Sequence, residues 1–356
     1  MNRLEETRKI VDEILLNIND TVERRCGYVH LYGVSKFAAM LALRRGLDPE
    51  ISAICGMFHD IYTYRTGIIQ FHDQNGAEDV RPIIRDMGIF SEDEQVIILS
   101  AIFHHSDKKN IHKPYDELLK DADVLQHYLY NTDMPVRKKE ADRLEAILKE
   151  LALPYDFEII EDERPKKKDI ATEDKRTKLA NIAQMLVSKV IEGLPEDEDY
   201  RIICRYWPDK DIHNVVKGSW CACFVYHCCI EAGFVLPIRH PLVSHRFAGV
   251  GAWLQWARLS ETGFFHSVDD SSFIPERGDI VIYEKLLTND PHDHIGVVLS
   301  CEDGKIIAAE GNMDNKNKAG IVNRSSRENV AGFIRIDNGF EYEHTGRKYD
   351  PKYLVK

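Results

Sequence analysis

One short segment limits what this chain can fold into. Residues 51–60 read ISAICGMFHD. Ile51, Ile54, Cys55, Phe58 and Ile61 recur at helical spacing, so the segment predicts a helix buried on that face. It ends in His59-Asp60. An imidazole and a carboxylate at the end of a buried helix need partners, because burying them unpaired is costly. A divalent metal satisfies both, since it accepts nitrogen and oxygen ligands. Further ligands are then expected elsewhere in the first half of the chain.

The chain has 356 residues, 44% of them hydrophobic. That is enough for two domains at roughly 100–200 residues each. A net charge of −12 argues against broad nucleic-acid binding. A small phosphorylated ligand stays open, because a bound metal reverses the local sign. The eight cysteines lie in apolar helical contexts, so reduced thiols are expected rather than a disulfide framework. The N-terminus is charged and amphipathic, unlike a secretory signal. No apolar run approaches the roughly 18 residues of a membrane helix. A soluble, cytoplasmic protein is the expectation.

The first half reads as all-α. Helices are expected over about 4–18, 30–45, 51–60, 76–87, 91–105, 115–130 and 138–150. Gly46, Gly88 and the Ser91/Glu94 capping box mark their ends. His30 is expected to begin the second helix. His59 and Asp60 end the third, and His72 lies in the loop before Gly76. His104 and His105 end the helix that starts at Ser91, and Asp123 lies on the next one. A bundle whose helix ends converge would bring these side chains together.

The set His30 in YVHLYGV, His59-Asp60 in MFHDI and Asp123 in DADVL resembles the HD-domain metal-dependent phosphohydrolases over about residues 20–130. The resemblance implies metal ligation by His30, His59, Asp60 and Asp123. His72 and the His104-His105 doublet are similar to the extra histidines of HD enzymes that hold two metals, with His72 and His104 the preferred second-site ligands. Position 33, where the family often has a basic residue, is glycine here. Mixed imidazole and carboxylate ligands suit one or two ions of Mn, Fe, Co, Ni, Zn or Mg. Such an ion acidifies bound water and neutralises a phosphoryl oxygen. Some relatives hold two irons and activate oxygen, which is the alternative chemistry. Lys108 and Lys109 are read as a solvated loop rather than as phosphate contacts. His127 is read as supporting Asp123, and His112 as a loop residue.

Residues 151–174 carry mixed charges and Pro165, which predicts a linker. The domains are accordingly placed at 1–150 and 175–340, with a tail at 341–356. In the second half, GSWCACFVYHCCIEAG (218–233) predicts a helix capped by Ser219 and ended by Gly233. Cys221 falls in its first turn, where the helix N-terminus favours a thiolate. Cys228 and Cys229 lie deeper and read as core. Strands follow at 279–283, 294–299, 305–310 and 332–336. A His begins the second strand, Glu310 ends the third, and Asn312 comes two residues later.

Trp220-Cys221-Ala222 with Phe224-Val225, Pro275 with Gly278-Asp279-Ile280, His294-Ile-Gly-Val-Val and Glu310-Gly-Asn312 resemble the CHAP domains of papain-like cysteine amidohydrolases and peptidases, over about 195–336. The resemblance implies amide hydrolysis, commonly of peptidoglycan or related peptides, with no cofactor. Cys221 would be the nucleophile and His294 the base, with Glu310 and Asn312 orienting the imidazole. Cys223, His292 and Asp279 are the weaker competitors. The expected molecule is multidomain: an all-α HD-type helical bundle, then a papain-like α+β domain with a small antiparallel sheet. The expected function is a bifunctional hydrolase of a phosphoester, with a nucleotide among the candidates, and of an amide. The alternative makes one half a non-catalytic module that senses a nucleotide or peptide.

Overall fold

The computed structural model describes residues 2–161, 174–207, 212–324 and 329–342. They form two compact units, one up to residue 161 and the other from residue 174. No helix among them is long and apolar enough to cross a membrane.

The first unit is a helical bundle: α1 (Arg3–Leu16), α2 (Thr21–Arg45), α3 (Pro49–Phe58), α4 (Ile61–Thr66), α5 (His72–Met87), α6 (Glu92–His104), α7 (Pro114–Tyr130) and α8 (Lys138–Glu150). Its core joins Val34, Leu41, Ile54, Phe58, Ile102, Leu119 and Leu148, among others. Local chemistry sets the helix ends. Asp48 accepts from the N–H groups of Glu50 and Ile51, with Pro49 in the first turn, so α3 starts where the sequence indicates. The Ser91/Glu94 capping box is present at α6.

Two boundaries differ from expectation. Asp20 caps α2 at Thr21, so His30 lies mid-helix and does not begin it. The polar stretch before His30 carries no apolar period, and the helix start is set by the Asp20 side chain, which accepts from the N–H groups of Val22 and Glu23. Left-handed Phe71 precedes α5, so His72 is its first residue and not in a loop.

Two short strands, β1 (Val136–Arg137) and β2 (Ile159–Ile160), pair in parallel. Together with Phe157 packed on the core, they tie residues 151–161 to the bundle, although that stretch reads as the start of a linker. The rest of that linker and nearly all of the expected tail lie outside the described residues.

The second unit contains α9 (Lys175–Val187), α10 (Glu198–Cys204), α11 (Ile212–Val215), α12 (Cys221–Glu231) and α13 (Val250–Ala257). Strands β3 (Phe265–Ser267), β4 (Ile280–Tyr283), β5 (His294–Glu302), β6 (Lys305–Glu310), β7 (Gly320–Arg324) and β8 (Val330–Ile334) follow. They form one antiparallel sheet in the order β3-β8-β4-β5-β6-β7. β3 and β7 carry no sequence signal strong enough to have been expected. Helices α9 and α12 pack on β5 and β6. This places the N-terminus of α12 beside the His-bearing strand. Asp279 is a buried structural residue, paired with Arg335 at 2.7 and 2.9 Å.

Candidate active sites

In the first unit, α2, the α3–α4 corner, α5, α6 and α7 each deliver one or two polar side chains to a common point. The Nε2 atoms of His30 and His59 are 3.0 Å apart. Asp60 Oδ2 lies 3.4 Å from His30 Nε2 and 3.6 Å from His59 Nε2. Asp123 Oδ1 lies 3.7 and 3.8 Å from the same two nitrogens. The other oxygen of Asp60 serves a second group: Oδ1 is 3.2 Å from His105 Nε2 and 3.4 Å from His72 Nε2. Asp60 therefore stands between two ligand sets.

Proton placement indicates what this centre can accept. His59 Nδ1 bonds the Gly56 carbonyl at 2.8 Å. His72 Nδ1 bonds Ile69 O at 2.9 Å, and His105 Nδ1 bonds Ile102 O at 2.7 Å. A carbonyl only accepts, so each Nδ1 carries the hydrogen, and in the neutral ring each Nε2 presents a lone pair. Those lone pairs converge on two carboxylates. Asp60 Oδ1 is buried and makes no hydrogen bond. Acceptors facing acceptors repel unless a cation lies between them. Ligands about 2.0–2.2 Å from one ion stand about 3.0–3.4 Å apart, close to the spacing seen here. The donor set fits a divalent ion, with backbone carbonyls fixing the ring orientations.

Electrostatics agree. Burial pushes the His59 imidazole down to about 3, so it stays neutral and able to ligate. Burial alone would raise Asp60 and Asp123, yet both lie well below the ordinary carboxylate range. That lowering needs positive charge beside each carboxylate, at His59, His105 and His30 for Asp60 and at Lys108, His127, His59 and His30 for Asp123; where the rings are neutral, a bound cation would supply it.

His104 does not reach this centre. Its Nδ1 contacts Asp116 Oδ2 at 2.9 Å, and its ring stacks on His112 at 3.9 Å. Consecutive residues at a helix end point roughly 100° apart, so only one of the doublet can face the pocket, and His105 is that one. Lys108 is also placed differently from expectation. It is not solvated: its Nζ is 2.7 Å from Asp123 Oδ2, with 6% of the side chain exposed. Lys109 is exposed. His127 stacks on His30 at 5.3 Å and holds Nε2 3.4 Å from Asp123. Gly33 has a steric reason. A Cβ there would lie 2.0 Å from Gln126 Oε1, so Gln126 fills the space a side chain at 33 would use.

In the second unit, α12 begins at Cys221 with Trp220 as its N-cap and no side-chain cap. Ser219 does not cap it, which leaves the first N–H groups of the helix without a side-chain acceptor. Cys221, His294 and Glu310 are all buried. His294 opposes Tyr283 on β4, and the β5–β6 register puts Glu310 across from Gly296 on the same sheet face as His294. Glycine is needed at 296, because a Cβ would lie 2.8 Å from Glu310 Cγ. His294 Nε2 bonds Glu310 Oε2 at 2.9 Å. Its Nδ1 is buried without a hydrogen bond, which leaves that nitrogen for the thiol. Burial lowers the His294 pKa, but Cys221 and Glu310 outweigh it and push the imidazole up to about 10.

Asn312 is not placed as expected. Its amide donates to Gly218 O at 2.7 Å and to Asn315 Oδ1 at 3.0 Å, so it braces the turn before α12 and not the imidazole. Asn317 reinforces that turn by accepting from Gly218 N and Trp220 Nε1, each at 3.1 Å. Arg324, unanticipated, donates to Glu310 Oε2 at 2.9 Å and to Asp314 at 3.0 Å. It follows Glu310 by fourteen residues on another strand, and no sequence pattern marks it. Cys223, Cys228 and Cys229 are buried, and burial raises each thiol.

Comparison with protein-family models finds an HD domain at residues 27–128 and a CHAP domain at residues 213–312. No curated protein and no solved structure matches the chain. The HD domain is a metal-dependent hydrolase family, and CHAP is an amidase and peptidase family. His30, His59, Asp60, His72, His105 and Asp123 lie inside the first match, and Cys221, His294, Glu310 and Asn312 lie inside the second. The chain thus joins an N-terminal HD domain to a C-terminal CHAP domain.

Proposed function

We propose that the protein is a bifunctional hydrolase, cleaving a phosphoester of a small molecule in the HD unit and an amide in the CHAP unit. The observation that carries the first half is the convergence of imidazole lone pairs on Asp60 and Asp123 with no hydrogen bond on Asp60 Oδ1. His30, His59, Asp60 and Asp123 would hold one divalent ion. His72, His105 and the second oxygen of Asp60 would hold another. When bound, the metal supplies Lewis-acid polarisation of a phosphoryl oxygen and acidifies water. The chain's own groups do the rest. Lys108, anchored on Asp123, places positive charge where phosphoryl oxygens would enter. Asp123 raises the His127 imidazole above its ordinary range, against the effect of burial.

In the CHAP unit, His294 Nδ1 takes the thiol proton and Cys221 Sγ attacks the carbonyl carbon. The uncapped N–H groups at the start of α12 receive the oxyanion. His294 returns the proton to the departing amine, leaving a thioester. It then takes a proton from water as the thioester is hydrolysed, and the thiol is restored. Glu310 holds the imidazole throughout.

The test is a screen of the full chain. Metal analysis should give at least one ion per chain, lost in His59→Ala, with turnover of a phosphomonoester in the presence of Mn²⁺. Iodoacetamide should label Cys221 ahead of Cys228 and Cys229 near neutral pH, since burial raises those two thiols. A metal-loaded chain inactive on a broad phosphoester panel would instead favour a sensing role for the HD unit.

A further inference from the structure

Ser106 follows the His104-His105 doublet in the turn after α6, and its carbonyl accepts from the Lys108 N–H at 2.9 Å. Its hydroxyl lies inside the second ligand group. Ser106 Oγ is 3.0 Å from His72 Nε2 and 3.3 Å from His105 Nε2, and those two nitrogens are 3.1 Å apart. Asp60 Oδ1 stands 3.4 and 3.2 Å from the same two nitrogens. We propose that the Ser106 hydroxyl is a further protein ligand for the ion that Asp60, His72 and His105 would share, and that it biases this position toward a hard divalent cation; this rests on the reading of the cluster as a two-ion centre.

A count of hydrogens carries the argument. The Nδ1 hydrogens of His72 and His105 are committed to the Ile69 and Ile102 carbonyls. In the neutral rings both Nε2 atoms therefore present lone pairs. Asp60 Oδ1 makes no hydrogen bond, so the Ser106 hydroxyl does not donate to it. Of these four atoms, only Ser106 Oγ carries a hydrogen. One hydrogen cannot bridge two imidazole nitrogens and a carboxylate oxygen together, whereas one cation meets all of them. The hydroxyl oxygen also has lone pairs of its own and ligates without losing its proton. A neutral serine or threonine serves Mg²⁺ in this way in phosphate-binding loops. The separations of Ser106 Oγ from the two nitrogens agree with ligands placed about 2.0–2.2 Å from a common ion. Serine contributes a hard oxygen without adding charge, which suits Mn²⁺ or Mg²⁺ better than a thiophilic ion. His104, turned away to Asp116, leaves this place to Ser106.

The experiment titrates the full chain, stripped of metal by a chelator, with Mn²⁺ in a calorimeter and counts bound ions by elemental analysis. The wild type should take up two ions. In Ser106→Ala one binding step should weaken about tenfold or more, and the other should stay within about twofold, given the roughly 10–100-fold that loss of a supporting residue costs a metal site. Ser106 is half-buried in a turn, so alanine or cysteine there should leave the fold intact, which circular dichroism checks. Ser106→Cys loaded with Co²⁺ gives a readout independent of turnover. It should show a sulfur-to-cobalt charge-transfer absorption in the near ultraviolet that the Co²⁺-loaded wild type lacks. Its preference for Zn²⁺ over Mn²⁺ should rise about tenfold or more over that of the wild type, because thiolate favours the softer ion. Two ions bound equally well by the wild type and Ser106→Ala overturn the proposal, and so does a Co²⁺-loaded Ser106→Cys without the new absorption. A wild-type chain that takes up a single ion refutes the two-ion reading itself, and the assignment of Ser106 falls with it.

Discussion

One carboxylate oxygen, Glu310 Oε2, accepts from both His294 Nε2 and Arg324 Nη2, each at 2.9 Å. Arg324 thereby fixes the direction from which Glu310 addresses the imidazole. Arg324→Met should lower amidase kcat about tenfold with KM nearly unchanged, or about 1.4 kcal/mol in the barrier. Arg324→Lys should recover only part of this, because an ammonium lacks the fork that spans Glu310 and Asp314. Steady-state kinetics on an amide substrate measure both. His294 also predicts a pH effect. Its folded pKa, about 10, lies above the unfolded value of about 6.5. The protonated ring therefore contributes stability that is complete below the unfolded value and is lost as pH rises through the folded one. Glu310→Gln removes part of the upward shift. The wild-type advantage over this variant in urea unfolding should shrink between roughly pH 6.5 and pH 10. A gap that stays constant over this range would remove His294 from the account.

At the scale of elements, the CHAP site depends on how α12 meets β5 and β6. Gly296 allows Glu310 to cross the face of β5. Gly296→Ala should displace Glu310 and reduce amidase kcat more than tenfold, at a stability loss of about 1–3 kcal/mol typical of overpacking. Denaturant titration alongside kinetics separates the two effects. The turn before α12 is held by side-chain amides and not by a helix cap. Asn312→Ala leaves Gly218 O without its donor and should destabilise the unit by about 1–3 kcal/mol. A variant as stable as wild type would show that the turn holds itself.

At the scale of the molecule, each compact unit contains a complete candidate site with its own core. The chemistry of one should therefore survive loss of the other. His59→Ala should remove bound metal and leave the Cys221 alkylation rate within about twofold. Cys221→Ala should leave metal content unchanged. Metal analysis and thiol labelling on the same preparations test this. Much of the plan was legible in the chain. Helical periods, the Asp48-Pro49 start and the Ser91/Glu94 box fixed most bundle helices, because caps and amphipathic faces are local properties. The short strands β3 and β7 were not legible, since three to five residues of a strand are stabilised mainly by their neighbours in the sheet.

The sequence by itself supplied the inventory: His30, the His59-Asp60 corner, Asp123, and a cysteine, a histidine and a glutamate at the ends of successive elements. Local patterns are enough for that, because His59-Asp60, Cys221, His294 and Glu310 fall where elements start or stop, while His30 and Asp123 lie on helices with readable periods. Tertiary structure decided which members of the inventory meet. It chose His105 over His104, buried Lys108 against Asp123, sent Asn312 to the α12 turn and brought Arg324 to Glu310. Each of these outcomes depends on side-chain direction and on contacts between elements distant in the chain. A residue's neighbours along the sequence carry almost no information about either.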